Sequence, residues 1–286
     1  AKEIVGNESQ ERMGIVIREE DIEHIRQIAD RERAPFYVVG ETTGDHRFVF
    51  EQTDGVKPID LAMEDMFGKA PRTVMTDRTV EETYEDVTYD QTQLDEYVER
   101  VLQLEAVACK DWLTNKVDRS VTGKIARQQC QGEIQLPLSD CGVVALDYRG
   151  RAGIATSIGH APQAALVDPA AGSVLSIAEA LTNIVWAPLS EGLDSVSLSA
   201  NWMWPCKNEG EDARLYRAVE ACSDFACSLR INIPTGKDSL SMTQKYGKDK
   251  VYSPGTVIIS AGAEVSDIRK VVSPVLRTGV NSTIYY

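Results

Sequence analysis

Positive charge is in short supply in this sequence. Thirty lysines and arginines stand against 44 acidic residues, a formal net charge of −14, and the basic positions are scattered among acidic ones. Such a surface repels nucleic-acid phosphates and anionic membranes, so neither is an expected partner. Histidine is scarce too: only His24, His46 and His160 occur, without an HxxxH pair or a Cys/His cluster, which argues against zinc. No Ser-His-Asp or Cys-His arrangement is spaced to suggest a nucleophile. No run of 18 apolar residues exists, so no transmembrane helix is expected. The opening "AKEIVGNESQ" lacks Met, a basic region and an apolar core. It is therefore no signal peptide, and it reads as the interior of a longer polypeptide. The six cysteines, 109, 130, 141, 206, 222 and 227, form no CxxC pair. Buried free thiols in a reducing compartment are the expectation, with Cys141 in an apolar run and Cys222 and Cys227 in a helical pattern.

What is present is ordinary globular material. At 286 residues, 43% hydrophobic and 26% charged, the chain is long enough for two domains or one large domain with extensions. "REEDIEHIRQIADRERA" places Ile22, Ile25, Ile28 and Ala29 at helical spacing, and "FYVVG" reads as a short strand. "HRFVFEQTDGVKPIDLAM" is a further strand and turn. Residues 74 to about 93 are acidic and Thr-rich, a linker composition, and a helix from Leu94 follows. Beyond 109, strands alternate with two amphipathic helices. In the first, Val174, Ile177, Ala178, Leu181 and Val185 form the expected stripe. In the second, Leu215, Ala218, Val219, Cys222, Ala226 and Leu229 point inward. The fold class is α/β or α+β, with mixed sheets flanked by helices. The expected division is 1–73, a linker with helix over 74–108, a domain over 109–266, and the start of a following segment over 267–286.

Four stretches carry candidate chemistry. In "SIAEALTNI", Glu179 and Asn183 lie one turn apart on a helix, opposite the expected stripe. Carboxylate and amide oxygens suit a hard cation such as Mg²⁺, and Asp140 in the turn "PLSDCG" is a third oxygen donor. A solvated helix face beside an unrelated turn Asp is the blander reading, and pattern alone favours it. "GKDS", Gly236 to Ser239, fails as a phosphate loop. Ile231 stands where the first Gly belongs and Asp238 follows the Lys, so a plain turn between strands is expected. "GNESQER", Gly6 to Arg12, is a polar loop after an apolar run and is uninformative alone. In "KDWLTNKVDRSVTG", Lys110 and Leu113 could flank a nucleotide, with Asp118 and Arg119 as an ion pair; a loop around a buried Trp112 is the stronger reading.

Read together and in order, "GNESQERMGIVI", "RERAPFYVVG", "DRSVTGKIARQQCQGEIQLPLSDCGV", "SIAEALTNI", "LSANWMWP", "GEDARLYRAV" and "PTGKDSLSM" resemble the long, single-chain phosphoribosylformylglycinamidine synthase family. The resemblance implies a fold like that of aminoimidazole-ribonucleotide synthetase. It also implies that the chain runs from the end of one synthetase-like C-terminal domain, through a linker, into the N-terminal domain of the second half. It further implies a cytoplasmic, ATP-dependent ligase of purine biosynthesis. The substrate is formylglycinamide ribonucleotide, and a separate glutaminase domain supplies ammonia from glutamine. On that pattern Asp140, Glu179 and Asn183 match Mg²⁺ ligands at an auxiliary ADP site that is structural, and Lys110, Leu113 and Ser139 match nucleotide contacts. Glu8, Ser9 and Gln10 match the loop that meets the ribonucleotide, and Ser239 faces its phosphate. The family's catalytic His domain, glutaminase and last C-terminal domain have no counterpart in this sequence, so the resemblance implies that the chain alone is inactive and binds nucleotide poorly. The competing expectations are another ATP-dependent member of the same fold superfamily, such as a selenophosphate-synthetase-like or thiamine-phosphate-kinase-like protein, or a non-catalytic nucleotide-binding scaffold.

Overall fold

The computed structural model describes residues 13–69, 72–81, 83–114 and 123–283. The chain divides into two compact units, Ala1–Val74 and Met75–Tyr286. In the first, the acidic turn before Ile22 opens helix α1 (Ile22–Arg31), and strands β1 (Arg47–Phe50) and β2 (Ile59–Ala62) form an antiparallel hairpin followed by α2 (Met63–Phe67). Arg47 on β1 pairs with Asp60 on β2. "FYVVG" is not a strand: residues 36–40 have no ladder partner among the described residues, and a strand exists only by pairing.

The second unit is built on one six-stranded sheet. Helices α3 (Leu94–Leu102) and α4 (Asp111–Thr114) come first. Then follow β3 (Ile125–Arg127), the two-residue strands β4 (Cys130–Gln131) and β5 (Leu136–Pro137), β6 (Cys141–Ala145) and β7 (Gly153–His160). Helices α5 (Pro162–Val167) and α6 (Pro169–Ile184) lead to β8 (Ser197–Met203) and α7 (Glu211–Leu229). Strands β9 (Asn232–Ser239), β10 (Thr243–Tyr246), β11 (Asp249–Tyr252) and β12 (Thr256–Val265) complete the order. The large sheet runs β3-β6-β7-β12-β8-β9, antiparallel except for the parallel β8–β9 pair at one edge, whose strands α7 connects.

Burial alternates strictly along β7, with Gly153, Ala155, Ser157 and Gly159 inward, as it must for a sheet with one covered face. Those inward residues meet α6, which packs in turn on α7, in a core around Ile177, Ile184, Leu198, Ile259 and Val143, all fully buried. Burying each Ile contributes about 1.5–3 kcal/mol. The opposite face leaves Ile154 and Ile158 exposed. Helix α6 starts cleanly because Asp168 caps it, accepting from the Ala170 N–H at 2.9 Å, and Pro169 supplies a preset first turn.

Both helix faces differ from their expected stripes. On α6 the buried set is Pro169, Gly172, Ser173, Ser176, Ile177, Ala180, Leu181 and Ile184, while Val185 is exposed. The helix is rotated so that small residues meet the sheet. A Cβ at Gly159 would lie 1.9 Å from the Ser176 carbonyl oxygen, so β7 and α6 pack backbone to backbone there. On α7 only Ala218, Cys222 and Ala226 are buried, and Val219 faces out. Cys227 is likewise exposed, as is Cys109; the other four cysteines are buried, and no disulfide is formed among the described residues. Trp112 on α4 is exposed rather than buried.

"GKDS" is not a turn. Gly236 to Ser239 are the last residues of β9 and pair in register with Ala200 to Met203. Gly236 is there because a Cβ would fall 2.1 Å from the Ala200 carbonyl oxygen, not because the chain reverses.

The Thr-rich segment before α3 is anchored within its unit. Asp77 accepts from the backbone N–H groups of Gly210 (3.2 Å) and Asp212 (3.0 Å), so it caps α7 from 133 and 135 residues away; Gly210, the local N-cap, has no side chain to do so. Arg78 pairs with Glu209, and the Tyr84 hydroxyl donates to the Leu166 carbonyl at 2.9 Å. The backbone N–H of Arg78, then those of the α7 first turn, hold the Asp77 carboxyl below its usual range. A depressed carboxylate contributes stability above the unfolded pKa and loses it as pH falls through the folded one. Asp77→Asn is therefore expected to lower the melting temperature at pH 7 and to lessen its fall between pH 5 and 3. Parallel melting curves across that range would reveal no such contribution.

Candidate functional site

Strand register builds the site. Cys141 of β6 pairs with Ser157 of β7, so one step further along Asp140 comes level with Ile158. Helix α6 crosses this end of β7. Its Asn183 side-chain N–H donates to the Ile158 carbonyl at 3.1 Å, and a Glu179 carboxylate oxygen accepts from the His160 backbone N–H. The two helix residues, which spacing placed opposite the core, instead lean sideways onto the strand beside Asp140. Ser157 and Ser176 fix the same junction: the Ser157 hydroxyl donates to the Ala180 carbonyl at 2.6 Å, and Ser176 accepts from the Ala161 N–H at 3.2 Å. Neither serine stands out in the sequence. Their signal is the run of small residues that lets helix and strand approach.

All three residues thus border the Ile158–His160 end of β7. Because the Asn183 amide nitrogen is committed to Ile158, its Oδ1 is the atom left for a ligand. Glu179 keeps one oxygen beyond the one held by His160. Burial, and then the charge of Glu179, hold the Asp140 carboxyl above its usual range. Two carboxylates that repel each other beside an oriented amide oxygen are a donor set for a hard divalent cation. Among the described residues no group of three His, Cys, Asp or Glu side chains converges. The candidates here are two acids and an amide, oxygen donors of the kind a hard divalent cation takes.

The remaining sequence candidates lie elsewhere. Ser139 is half-buried next to Asp140; its N–H donates to the Gln129 carbonyl at 3.1 Å and its hydroxyl to the Cys141 carbonyl at 3.2 Å. Lys110 and Leu113 lie at α4, where the Leu113 N–H donates to the Lys110 carbonyl and the Lys110 ammonium to the carbonyls of Ala108 and Glu105. Ser239 is at the end of β9, the opposite edge of the sheet from β3, with its hydroxyl 3.4 Å from the Lys237 ammonium. Glu8, Ser9, Gln10, Asp118 and Arg119 lie outside the described residues. No helix among the described residues is long and apolar enough to cross a membrane.

This chain is 39% identical to a Drosophila melanogaster phosphoribosylformylglycinamidine synthase and 38% identical to the Homo sapiens one, over 97% of its own length in each case. It spans 22% of the length of either relative. Among solved structures, Thermotoga maritima PurL complexed with ATP matches 91% of the chain and 38% of its own, with a TM-score of 0.57 at 15% identity. The same protein complexed with FGAR matches 91% and 37%, with a TM-score of 0.55 at 14% identity. At those identities the likeness is one of fold, the mixed sheet flanked by helices. The model of the FGAR-AT PurM_N-like domain matches residues 109–264, more than half of the sequence and nearly all of the six-stranded sheet with its two covering helices, and the chain belongs to that family.

Proposed function

We propose that this chain forms part of a phosphoribosylformylglycinamidine synthase, an ATP-dependent ligase acting in the cytoplasm, and that its own role is to hold a magnesium nucleotide. The parent enzyme would convert formylglycinamide ribonucleotide to the amidine, with ammonia drawn from glutamine by a glutaminase domain of the same polypeptide. The observation that supports this reading is that Asp140 comes level with Ile158, whose carbonyl Asn183 bonds, while Glu179 bonds the His160 N–H and its charge acts on the Asp140 carboxyl. Magnesium bound there would neutralise the two carboxylates and bridge to the phosphates of ADP or ATP. The site's own residues do the positioning: Ile158 and His160 fix the two helix side chains, and the β6–β7 register fixes Asp140. Ser139, Lys110 and Leu113 are the proposed nucleotide contacts; Ser239 and the Glu8–Gln10 loop are the proposed contacts to the ribonucleotide. Nucleotide held at Asp140 is structural in this reading, so the chain by itself is without turnover and its affinity is low.

A ligand that binds only the folded state stabilises it by mass action, about 1.4 kcal/mol at ten times Kd. For a unit of this size that is a rise of roughly 3–6 °C. Melting the chain with millimolar ADP is expected to show such a rise with MgCl₂ present and none in EDTA. An equal rise in both conditions would remove the metal from the reading.

A further inference from the structure

Helix α5 ties the Thr-rich segment before α3 to the carboxylate of Glu179. Residues 75–81 and 83–90 carry neither helix nor strand and are exposed throughout, so this stretch lies over its unit as a strap. Asp77 and Arg78 fasten it to the start of α7, and Val80 lies against Gly210, where an added Cβ would be 2.9 Å from the Val80 side chain. Further along, the Tyr84 hydroxyl donates to the Leu166 carbonyl at the C-terminal end of α5. Arg214 of α7 grips the same end, its Nη2 donating to the carbonyls of Ala165 (2.6 Å) and Leu166 (2.8 Å). At the other end of α5, the backbone N–H groups of His160 and Ala161 donate to Glu179 and Ser176 on α6. Between the ends Ala165 is buried against Gly172 of α6, where a Cβ would lie 2.5 Å from that of Ala165. A helix of six residues is too short to hold itself together in water. Its position is set by what grips its two ends and its middle, and it acts as one short rod between Tyr84 and Glu179.

We propose that the strap regulates the candidate nucleotide site, a role that rests on reading Asp140, Glu179 and Asn183 as magnesium ligands. Docked through Tyr84, the strap holds α5 where the His160 N–H fixes Glu179; released, it lets that carboxylate loosen. A metal ion bound there needs Glu179 in one place. Magnesium nucleotide therefore favours the docked strap, and the docked strap favours magnesium nucleotide. One net hydrogen bond, from the Tyr84 hydroxyl, sets the scale of the coupling at about threefold to tenfold.

The test is limited proteolysis of the whole chain with a glutamate-specific protease, which cuts the strap after Glu81, Glu82 and Glu85. Cleavage there is followed by peptide mass spectrometry. Magnesium with ADP, against ADP in EDTA, is expected to slow it about threefold to tenfold. Tyr84→Phe keeps the ring and lacks the donor. It is expected to abolish that protection and to weaken magnesium-ADP binding, read from a melting titration, by a comparable factor, because coupling between two sites acts equally in both directions. Tyr89→Phe, on the same strap, is expected to alter neither. Protection in the unaltered chain stands as a measurement of its own if the Tyr84 variant fails to fold. No rise in melting temperature with magnesium-ADP would remove the nucleotide reading and this role with it. A rise without slower cleavage, protection undiminished in Tyr84→Phe, or an unchanged affinity in that variant would leave the nucleotide in place and overturn the role of the strap.

Discussion

Gly159→Val is expected to cost the second unit about 4 kcal/mol or more, enough to unfold a domain of ordinary stability in mild urea. The reason is distance. The first side-chain atom would sit 1.9 Å from the Ser176 carbonyl oxygen and 2.5 Å from the Ala180 backbone nitrogen, both in the middle of α6. Backbone atoms of a helix cannot move aside singly, so α6 would have to lift from β7 and take Ile177, Leu181 and Ile184 out of the core. The control is Gly262→Ala on the neighbouring β12, where an added Cβ meets nothing within 4 Å. That change is expected to stay within about 0.5 kcal/mol. Urea unfolding followed by tryptophan fluorescence reads both variants. Similar midpoints for the two would mean that helix and strand are not in backbone contact.

Asp140→Asn is expected to act in opposite directions with and without ligand. Burial and the neighbouring Glu179 hold the Asp140 carboxyl above its usual range, so its ionised form is disfavoured by folding. A raised carboxyl costs stability above its folded pKa and ceases to do so as pH falls through the carboxylate range. Without magnesium at pH 7 the asparagine variant therefore melts slightly higher than the parent sequence, and the advantage disappears near pH 4. With magnesium and ADP the order reverses, because one of two anionic ligands is gone, and the rise of roughly 3–6 °C expected for the unaltered chain at ten times Kd is lost. In the full-length enzyme the same replacement is expected to lower thermal stability more than it lowers turnover. A variant that melts lower in both conditions would show Asp140 to be a structural carboxylate. A collapsed rate at unchanged melting temperature would assign it to the reaction itself.

Periodicity and motif were enough to read much of this chain. The helix at Ile22, the helix at Leu94, the strand "GVVA" after Asp140 and the long helix from Glu211 stand where spacing puts them, because amphipathic alternation is a local property. What spacing could not supply was orientation. On α6 a stripe of Val174, Ile177, Ala178, Leu181 and Val185 and a stripe of Ser173, Ile177, Ala180 and Ile184 differ by a small rotation, and hydrophobicity favours the wrong one. Contact with Gly159 decides for the small residues, and no local rule foresees a glycine on a separate strand, 17 positions before Ser176 and 21 before Ala180. "GKDS" misleads for the same reason: its glycine answers a neighbouring strand, not a turn.

From the residues alone came the acidic balance, the class of fold, the oxygen-bearing character of Asp140, Glu179 and Asn183, and, through seven ordered motifs, the family. Tertiary structure alone brought those three residues to one end of β7. It did so through a pairing of β6 with β7 that sets Asp140 beside Ile158, and a helix close enough to hydrogen-bond that strand. Convergence of this kind depends on register and on approach between segments distant along the chain, and these are set by packing the whole core at once.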